Sequence, residues 1–306
     1  MPSETTADHI PLVTGFGSSV LDVLMRTKTI TLYGKNAVSH QIIQIGGVIP
    51  TALVALSRLG IKTELFTIIG NDMLGTKLLS ILTDEHVGVS KILQTPSMQT
   101  PLATVVLEGE TRTIFYTTAD FSKQFEPNLA DSMPKEASYL LIDGHNCRMS
   151  HMFVARAHAG GTRVIMDMGT FREGLDGLIS ESDTIVVPGA FWKALSPREP
   201  KDIAKDFLTK GPSTVIVTME DKGIFVATKE ELFYQPSYHV TALDTNGAGD
   251  VFFGTLTYGL LQKWPMTKTT QFAAAAAALS CTKIGKIEKI PRSEEEVFAF
   301  INTHTA

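Results

Sequence analysis

The run Asp244-Thr245-Asn246-Gly247-Ala248-Gly249-Asp250, followed at once by the apolar stretch Val251 to Leu261, constrains this chain more than any other feature of it. Two glycines flank an alanine, so successive backbone N–H groups can turn toward one point with no side chain in the way. The apolar stretch reads as a helix whose unpaired first-turn donors and partial positive charge would add to that point. Such a turn is an anion site. A carboxylate at each end is out of place if phosphate is merely to be held, because like charges repel. An acid beside an anion cradle suits phosphoryl transfer, in which the protein positions the reactants, neutralises charge and supplies an aspartate to take the attacking hydroxyl's proton. Asp250 is the candidate base. The plainer alternative is that Asp244 and Asp250 cap a glycine-rich turn.

Composition narrows the function classes. The 306 residues are 43% hydrophobic and 19% charged, which suits one large globular domain, alone or with a small appendage. A net charge of -5 and a pI near 5.9 argue against nucleic-acid and anionic-membrane partners, which want a basic surface. The acidic run Glu294-Glu295-Glu296 reads as the first turn of a terminal helix. The polar first nine residues hold no signal-peptide core, and no apolar run reaches the roughly 18 residues that span a bilayer, so a cytoplasmic location is expected. Cys147 and Cys281 make neither a disulfide framework nor a zinc pattern and read as buried thiols. His145, His151 and His158 are spaced wrongly for a metal pair and read as surface or core histidines.

Along the chain, Ile10 to Thr14 is an apolar run ending at Gly15-Phe16-Gly17 and predicts the first buried strand. A dinucleotide fingerprint would need a glycine at Val20 and an acid near the ribose position; neither is present, and Val20 to Leu24 reads as further strand. Asp22, a lone acid in that stretch, reads on its own as a strand-end residue facing water. Lys28 to Tyr33 and Val38 to Ile45 flank the turn Gly34-Lys35-Asn36, and Leu102 to Leu107 and Thr113 to Thr117 flank Glu108-Gly109-Glu110. These four segments predict a small sheet of their own.

Gly46-Gly47 lets a strand turn into a helix or brings backbone close to a ligand, and Leu53, Leu56 and Leu59 form a helical stripe behind it. Gly70 and Gly75 have P-loop spacing, but Thr76-Lys77 is in the wrong order, so a helix start with Asp72 as cap or first-turn acid is expected instead. From Tyr139 onward strand and helix patterns alternate, which predicts parallel strands with helices on both faces. Asp143, Asp167 and Thr218 stand at the carboxyl ends of those strands, where such sheets bind ligands. The alanine run Ala273 to Ala278 reads as a close-packing helix face.

Asp244 to Asp250 resembles the second signature of the ribokinase/PfkB family of carbohydrate kinases, D-T-x-G-A-G-D, and other landmarks of that family recur in order along nearly the whole chain. Gly17 and Asp22 match its G-x-x-x-x-D, and Gly46 to Gly60 its first signature, with Pro50-Thr51 in place of Ala-Asn. Gly70 to Gly75 matches G-x-D-x-x-G, and Asp167 to Arg172 resembles D-x-N-x-R with glycine for asparagine. Thr218 and Gly223 bound T-x-G-x-x-G, with Glu220 for the middle glycine. Pro188 to Trp192 lacks the N-x-x-E that many members link to Mg²⁺ through water, as do the ketohexokinase-like and sulfofructose-kinase-like branches.

The resemblance implies an α/β, ribokinase-like, doubly wound and mostly parallel sheet with helices on both faces. It implies one kinase domain over 1–306, with lid strands from about 22–45 and 101–117. It further implies an ATP-dependent kinase that phosphorylates a hydroxymethyl group of a small carbohydrate, a ketose by preference. Asp250 would be the base, Gly247, Ala248 and Gly249 the anion hole, and Asp22, Gly46, Gly47, Thr51 and Asp250 the sugar site. Thr218, Gly223, Thr245, Gly247, Gly249 and Gly285 would hold ATP, with Mg²⁺ on the nucleotide, no protein metal ligand singled out, and a monovalent cation near the Asp244 loop. Arg172 would hold a phosphate or the sugar, or be merely solvated, and a homodimer would form through the lid. A nucleoside kinase of the same family, with Phe115, Tyr116 and Phe121 stacking on a base, and a non-catalytic sugar sensor are the alternatives.

Overall fold

Alternation along the strands decides the layers. In β1 (Leu12–Phe16), Leu12 and Phe16 pack into one core and Val13 into another, because successive strand side chains point to opposite faces. Such a strand is apolar on both sides and must be covered on both sides. The computed structural model describes residues 11–109, 111–117, 124–194 and 198–304. Ile10, Glu110 and Phe121, assigned above to a strand start, a turn and lid stacking, lie outside the described residues.

The further strands are β2 (Val20–Thr27), β3 (Val38–Gly46), β4 (Lys62–Gly70), β5 (Ile92–Thr95), β6 (Leu102–Glu108), β7 (Thr111–Tyr116), β8 (Ala137–Ile142), β9 (Arg163–Asp167), β10 (Thr184–Val187), β11 (Thr214–Thr218), β12 (Ile224–Thr228) and β13 (Leu232–Gln235). The helices are α1 (Val48–Arg58), α2 (Met73–Asp84), α3 (Pro127–Asp131), α4 (Cys147–Gly160), α5 (Leu175–Glu181), α6 (Gly189–Ala194), α7 (Pro200–Leu208), α8 (Ala248–Leu261), α9 (Met266–Cys281), α10 (Lys286–Lys289) and α11 (Glu294–Thr303).

Among the described residues, nine strands form one sheet in the order β13-β12-β11-β10-β9-β8-β1-β4-β5. Only β12 runs against its neighbours. Helices α1, α2, α8, α9 and α11 bury their apolar faces on one side of it, and α3 to α7 theirs on the other. The expected doubly wound α/β sheet is therefore present. β1 has β4 on one flank and β8 on the other, so the winding reverses there and a crevice opens at the carboxyl ends of β1 and β8. Its floor is tied by the Ser18 N–H, which donates to Asp143 Oδ2 at 2.9 Å.

The second sheet has the order β3-β2-β6-β7, with β2 parallel to β6 and a small core of Leu24, Val105 and Leu107 against Ile42 and Ile284. It is the expected lid, with one correction. Lys28 to Tyr33, read as a strand, is the connection between β2 and β3, and Val20–Thr27 supplies the strand. Side chains hold that connection out of the ladder: Thr27 Oγ1 donates to the carbonyls of Thr29 and Ala37, both at 3.0 Å, and Asn36 bonds both backbone groups of Thr31. Local hydrogen bonds of this kind outcompete the weak strand preference of a Thr- and Ile-rich run.

Helix α8 is apolar nearly all round, buried from Val251 through Gly259 between α1 and α9. Its Gly254 is required by close approach, since a Cβ there would lie 2.5 Å from the Ala52 carbonyl oxygen of α1. The alanine run of α9 is a packing face as expected, with Ala273, Ala275 and Ala276 fully buried.

Candidate active site

The anion turn is built as its sequence demands. Gly247 is the N-cap of α8 at φ 86°, a left-handed conformation that favours glycine, and no side chain caps the helix. Gly247 also has no room for a side chain, because the Lys286 stem lies against it and an added Cβ would be 2.9 Å from Lys286 Cε. Gly249 faces the opposite situation: an added Cβ would meet nothing within 4 Å, so its side of the turn is open. The Ala248 N–H is partly engaged, donating to the Thr245 carbonyl at 3.3 Å. The positive end of α8 thus points into open space beside Asp250, in its first turn.

The two carboxylates of the motif have separate fates. Asp244 is buried and accepts the Asn246 N–H at 2.8 Å and the Gly285 N–H at 3.1 Å, so it pins the turn to the start of α10. Asp250 meets Lys286, whose ammonium lies 3.4 Å from Asp250 Oδ2 and 3.3 Å from Asp22 Oδ2. Burial would push the Lys286 ammonium down, but the carboxylates of Asp250 and Asp22 outweigh it and hold the pKa above the ordinary lysine value. The Asp22 carboxyl is raised by burial, with Lys286 opposing. The chain places Lys286 firmly, since its N–H donates to Gln44 Oε1 of β3 at 2.6 Å.

Gly46 and Gly47 make space for this arrangement. A Cβ on Gly46 would fall 2.2 Å from Asp22 Oδ1, and one on Gly47 2.3 Å from the Ser18 carbonyl oxygen. Thr51, expected at the sugar site, has its hydroxyl engaged within the chain. It is fully buried, and its hydroxyl donates to the Gly47 carbonyl at 2.8 Å, where it steadies the first turn of α1.

A cavity of about 470 Å³ lies between the lid and the carboxyl ends of the large sheet. Its wall includes Gly47, His145 and Asn246 from below and Asp22, Ala103, Val105, Ile114 and Tyr116 of the lid sheet from above. The Asn246 Nδ2 is buried and finds no partner among the described residues. An orphaned donor on a cavity wall is a place for a ligand oxygen.

A second polar group stands behind this wall, at the ends of β8 and β9. Arg172 donates through Nη2 to His145 Nε2 at 2.9 Å; a guanidinium can only donate, so that nitrogen accepts and the ring proton sits on Nδ1, 3.2 Å from Asp143 Oδ2. Burial raises the Asp143 carboxyl, but the His145 ring and the N–H groups of His145 and Ser18 outweigh it and hold the pKa low. Asp167, also buried, is pushed up to about 7 by burial, helped by the Asp250 and Asp143 charges and opposed by the Gly169 N–H.

The remaining expected nucleotide residues fall in two places. Thr245 and Gly285 belong to the anion turn and its anchor. Thr218 and Gly223 bound a separate turn at the end of β11, where the Trp192 indole N–H donates to the Thr218 carbonyl at 3.0 Å. Gly223 has φ 84°, and a non-glycine neighbour also has a positive φ: Glu220 sits at φ 60° where the resembled motif has glycine. Asp72 caps α2 as expected, accepting the Gly75 N–H at 2.8 Å.

Three residues escaped the sequence reading. Lys286 and Lys289 look like solvated lysines in a charged stretch, and His145 like any other histidine; only tertiary contacts bury the first two and bring the third to the cavity wall. The one available signal was their place, one and four residues after Gly285 and three residues beyond the carboxyl end of β8.

Compared with known proteins, residues 12–293 match the pfkB family of carbohydrate kinases. Ribokinase of Haemophilus influenzae is 28% identical over 275 residues, 87% of this chain and 89% of that protein. Fructokinase-1 of Oryza sativa subsp. japonica is 24% identical over 319 residues, 94% of this chain and 97% of that protein. Among solved structures, the fold is similar to a protein assigned as ribokinase II from E. coli, solved in complex with ATP and Mg²⁺. The TM-score is 0.83 and the identity 21%, covering 96% of this chain and 100% of that one.

Proposed function

Because this chain belongs to the pfkB family of carbohydrate kinases, we propose that it moves the γ-phosphate of ATP onto a hydroxymethyl group of a small sugar, a ketose before an aldose. The observation that carries this is the position of Asp250, in the first turn of α8 beside the open backbone of Gly249 and joined through Lys286 to Asp22 on the cavity wall. In this reading Asp22, with Gly46 and Gly47 leaving it room, and Asn246 hold the sugar hydroxyls, and Asp250 faces the one that reacts. Asp250 takes the hydroxyl proton as the sugar oxygen bonds to the γ-phosphorus. The bond to the β,γ-bridging oxygen breaks and ADP leaves. The N–H groups of Gly247 to Gly249 and the helix end stabilise the charge on the moving group.

Thr245 and Gly285 on the anion turn and the turn from Thr218 to Gly223 take the nucleotide. Mg²⁺, arriving on the nucleotide, would supply positive charge that offsets the phosphates, and would need one or two carboxylates at most. Among the described residues no three His, Cys, Asp or Glu side chains gather as a metal cage. The residues fit an ion that arrives on the nucleotide. The ketose preference rests on the absence of N-x-x-E at Pro188 to Trp192 and on a fructokinase among the relatives.

Tyr116 and Ile114 on the cavity wall favour a nucleoside as the second reading. Exposed apolar side chains on the lid, Ile43, Ile114 and Phe115 among them, suit a second copy of the chain docked there, which sedimentation velocity would test.

The deciding assay is ADP release with Mg²⁺-ATP against ketoses, aldoses and nucleosides. Turnover highest with a ketose supports the proposal. Turnover with nucleosides alone replaces it with the second reading, and ligand-induced stabilisation without ADP release would make the protein a sensor. A ligand at 100 times its Kd raises stability by about 2.7 kcal/mol, so binding is readable apart from turnover.

A further inference from the structure

The resemblance implies a monovalent cation near the Asp244 loop, and the residues there do not fit one. Lys289 of α10 is fully buried, and its ammonium donates to the Asp244 carbonyl oxygen at 2.8 Å and lies 3.3 Å from Asp244 Oδ2. A carbonyl and a carboxylate of one residue converging on a single positive charge is the donor set a free alkali cation would use, and both donors are engaged. An ammonium is close to K⁺ in size and equal to it in charge.

The rest of the loop is closed around that contact. Asp244 accepts from Asn246 and Gly285 with its carboxylate, and the N–H groups of Leu243 and Asp244 donate to the Cys281 carbonyl at 2.8 and 3.3 Å. The charge on Lys289 therefore balances a buried carboxylate that fixes both the turn before Gly247 and the start of α10. An unpaired buried carboxylate would be costly.

We propose that Lys289 is a built-in substitute for a monovalent cation: it holds the Asp244 loop, and through it the anion turn, so that neither K⁺ nor Na⁺ is needed. Lys289 touches no substrate and is a positioning residue. The effect on catalysis rests on the kinase reading above; the effect on the loop does not.

The test compares equal concentrations of potassium, sodium, ammonium and tetramethylammonium chloride. First, the melting temperature of the parent is measured without sugar or nucleotide, so this arm stands even if no sugar is phosphorylated. The expected result is one melting temperature in all four salts and, with substrate, one kcat within twofold. Lys289→Ala should melt lower in tetramethylammonium and sodium chloride, recover in potassium and ammonium chloride, and show the same pattern in kcat, with at least tenfold stimulation. Potassium that raises the parent's melting temperature or stimulates it tenfold overturns the proposal, and so does a folded Lys289→Ala whose loss is equal in all salts. Should Lys289→Ala not fold, Lys289→Met and the parent's own salt response still decide it. Catalytic stimulation absent in the variant while its melting temperature recovers would sink the catalytic link and leave the clamp standing.

Discussion

The ammonium of Lys286 lies 3.4 Å from Asp250 and 3.3 Å from Asp22 on the lid side, so one buried cation serves two carboxylates. Lys286→Met keeps the stem that covers Gly247 and removes the charge. The two acids are then left buried with like charge, a loss on the order of 3 to 5 kcal/mol for broken buried pairs. Because burial already raises Asp22, it should take up a proton in the variant as pH falls. The deficit measured by urea unfolding should therefore shrink between pH 8 and pH 5.5. An equal deficit at both pH values would show that packing, not charge, is what was lost.

Asp250→Asn removes the proton acceptor and leaves the turn intact. Turnover should fall about a hundredfold or more, the scale of a general-base contribution, while nucleotide affinity measured by calorimetry stays within a few-fold of the parent. A variant as fast as the parent on its best sugar refutes the assignment.

Asn246 carries the orphaned donor of the cavity wall. Asn246→Ala should leave the melting temperature nearly unchanged, since Nδ2 has no partner to lose among the described residues. The KM for the sugar should rise by roughly fivefold, corresponding to one neutral hydrogen bond of about 1 kcal/mol, with kcat affected less. A large fall in stability, with KM unmoved, would place that amide in the packing and not in the site.

Asp167 sets a pH dependence of stability. Its carboxyl is raised by burial from 3.8 to about 7, so between those values the folded chain holds a proton the unfolded chain has released. The contribution is complete below about 4 and is lost as pH rises through about 7. Asp167→Asn keeps an acceptor for the Gly169 N–H and cannot ionise. Its stability relative to the parent should rise by about 2 to 3 kcal/mol between pH 5 and pH 8; parallel curves would exclude the raised carboxyl.

The doubly wound sheet was legible because β1 and β8 to β11 are short apolar runs between turn signals, and because Asp244 to Asp250 could open only a helix. Asp250 and Asp22, singled out by spelling and spacing, lie together against Lys286. The bond made by Thr51 was not legible, because a threonine in the first turn of a helix also has a near partner for its hydroxyl, the carbonyl four residues back. The connection between β2 and β3 was misread for a similar reason, side-chain bonds from Thr27 and Asn36 overriding strand preference. Lys286 and Lys289 were hidden because a buried lysine differs from a solvated one only by its partners, which lie 36 or more residues away in the chain at Asp22, Asp244 and Asp250.

Ile284 completes the core of the small sheet, while the next residues, Gly285 and Lys286, touch Asp244, Asp250 and Gln44 of β3. The cover and the turn at the start of α8 are thus mechanically geared through three consecutive residues. Tilting the cover over a guest must pull on the segment that positions the other guest, and by thermodynamic reciprocity each occupant alters the affinity of the other by the same factor.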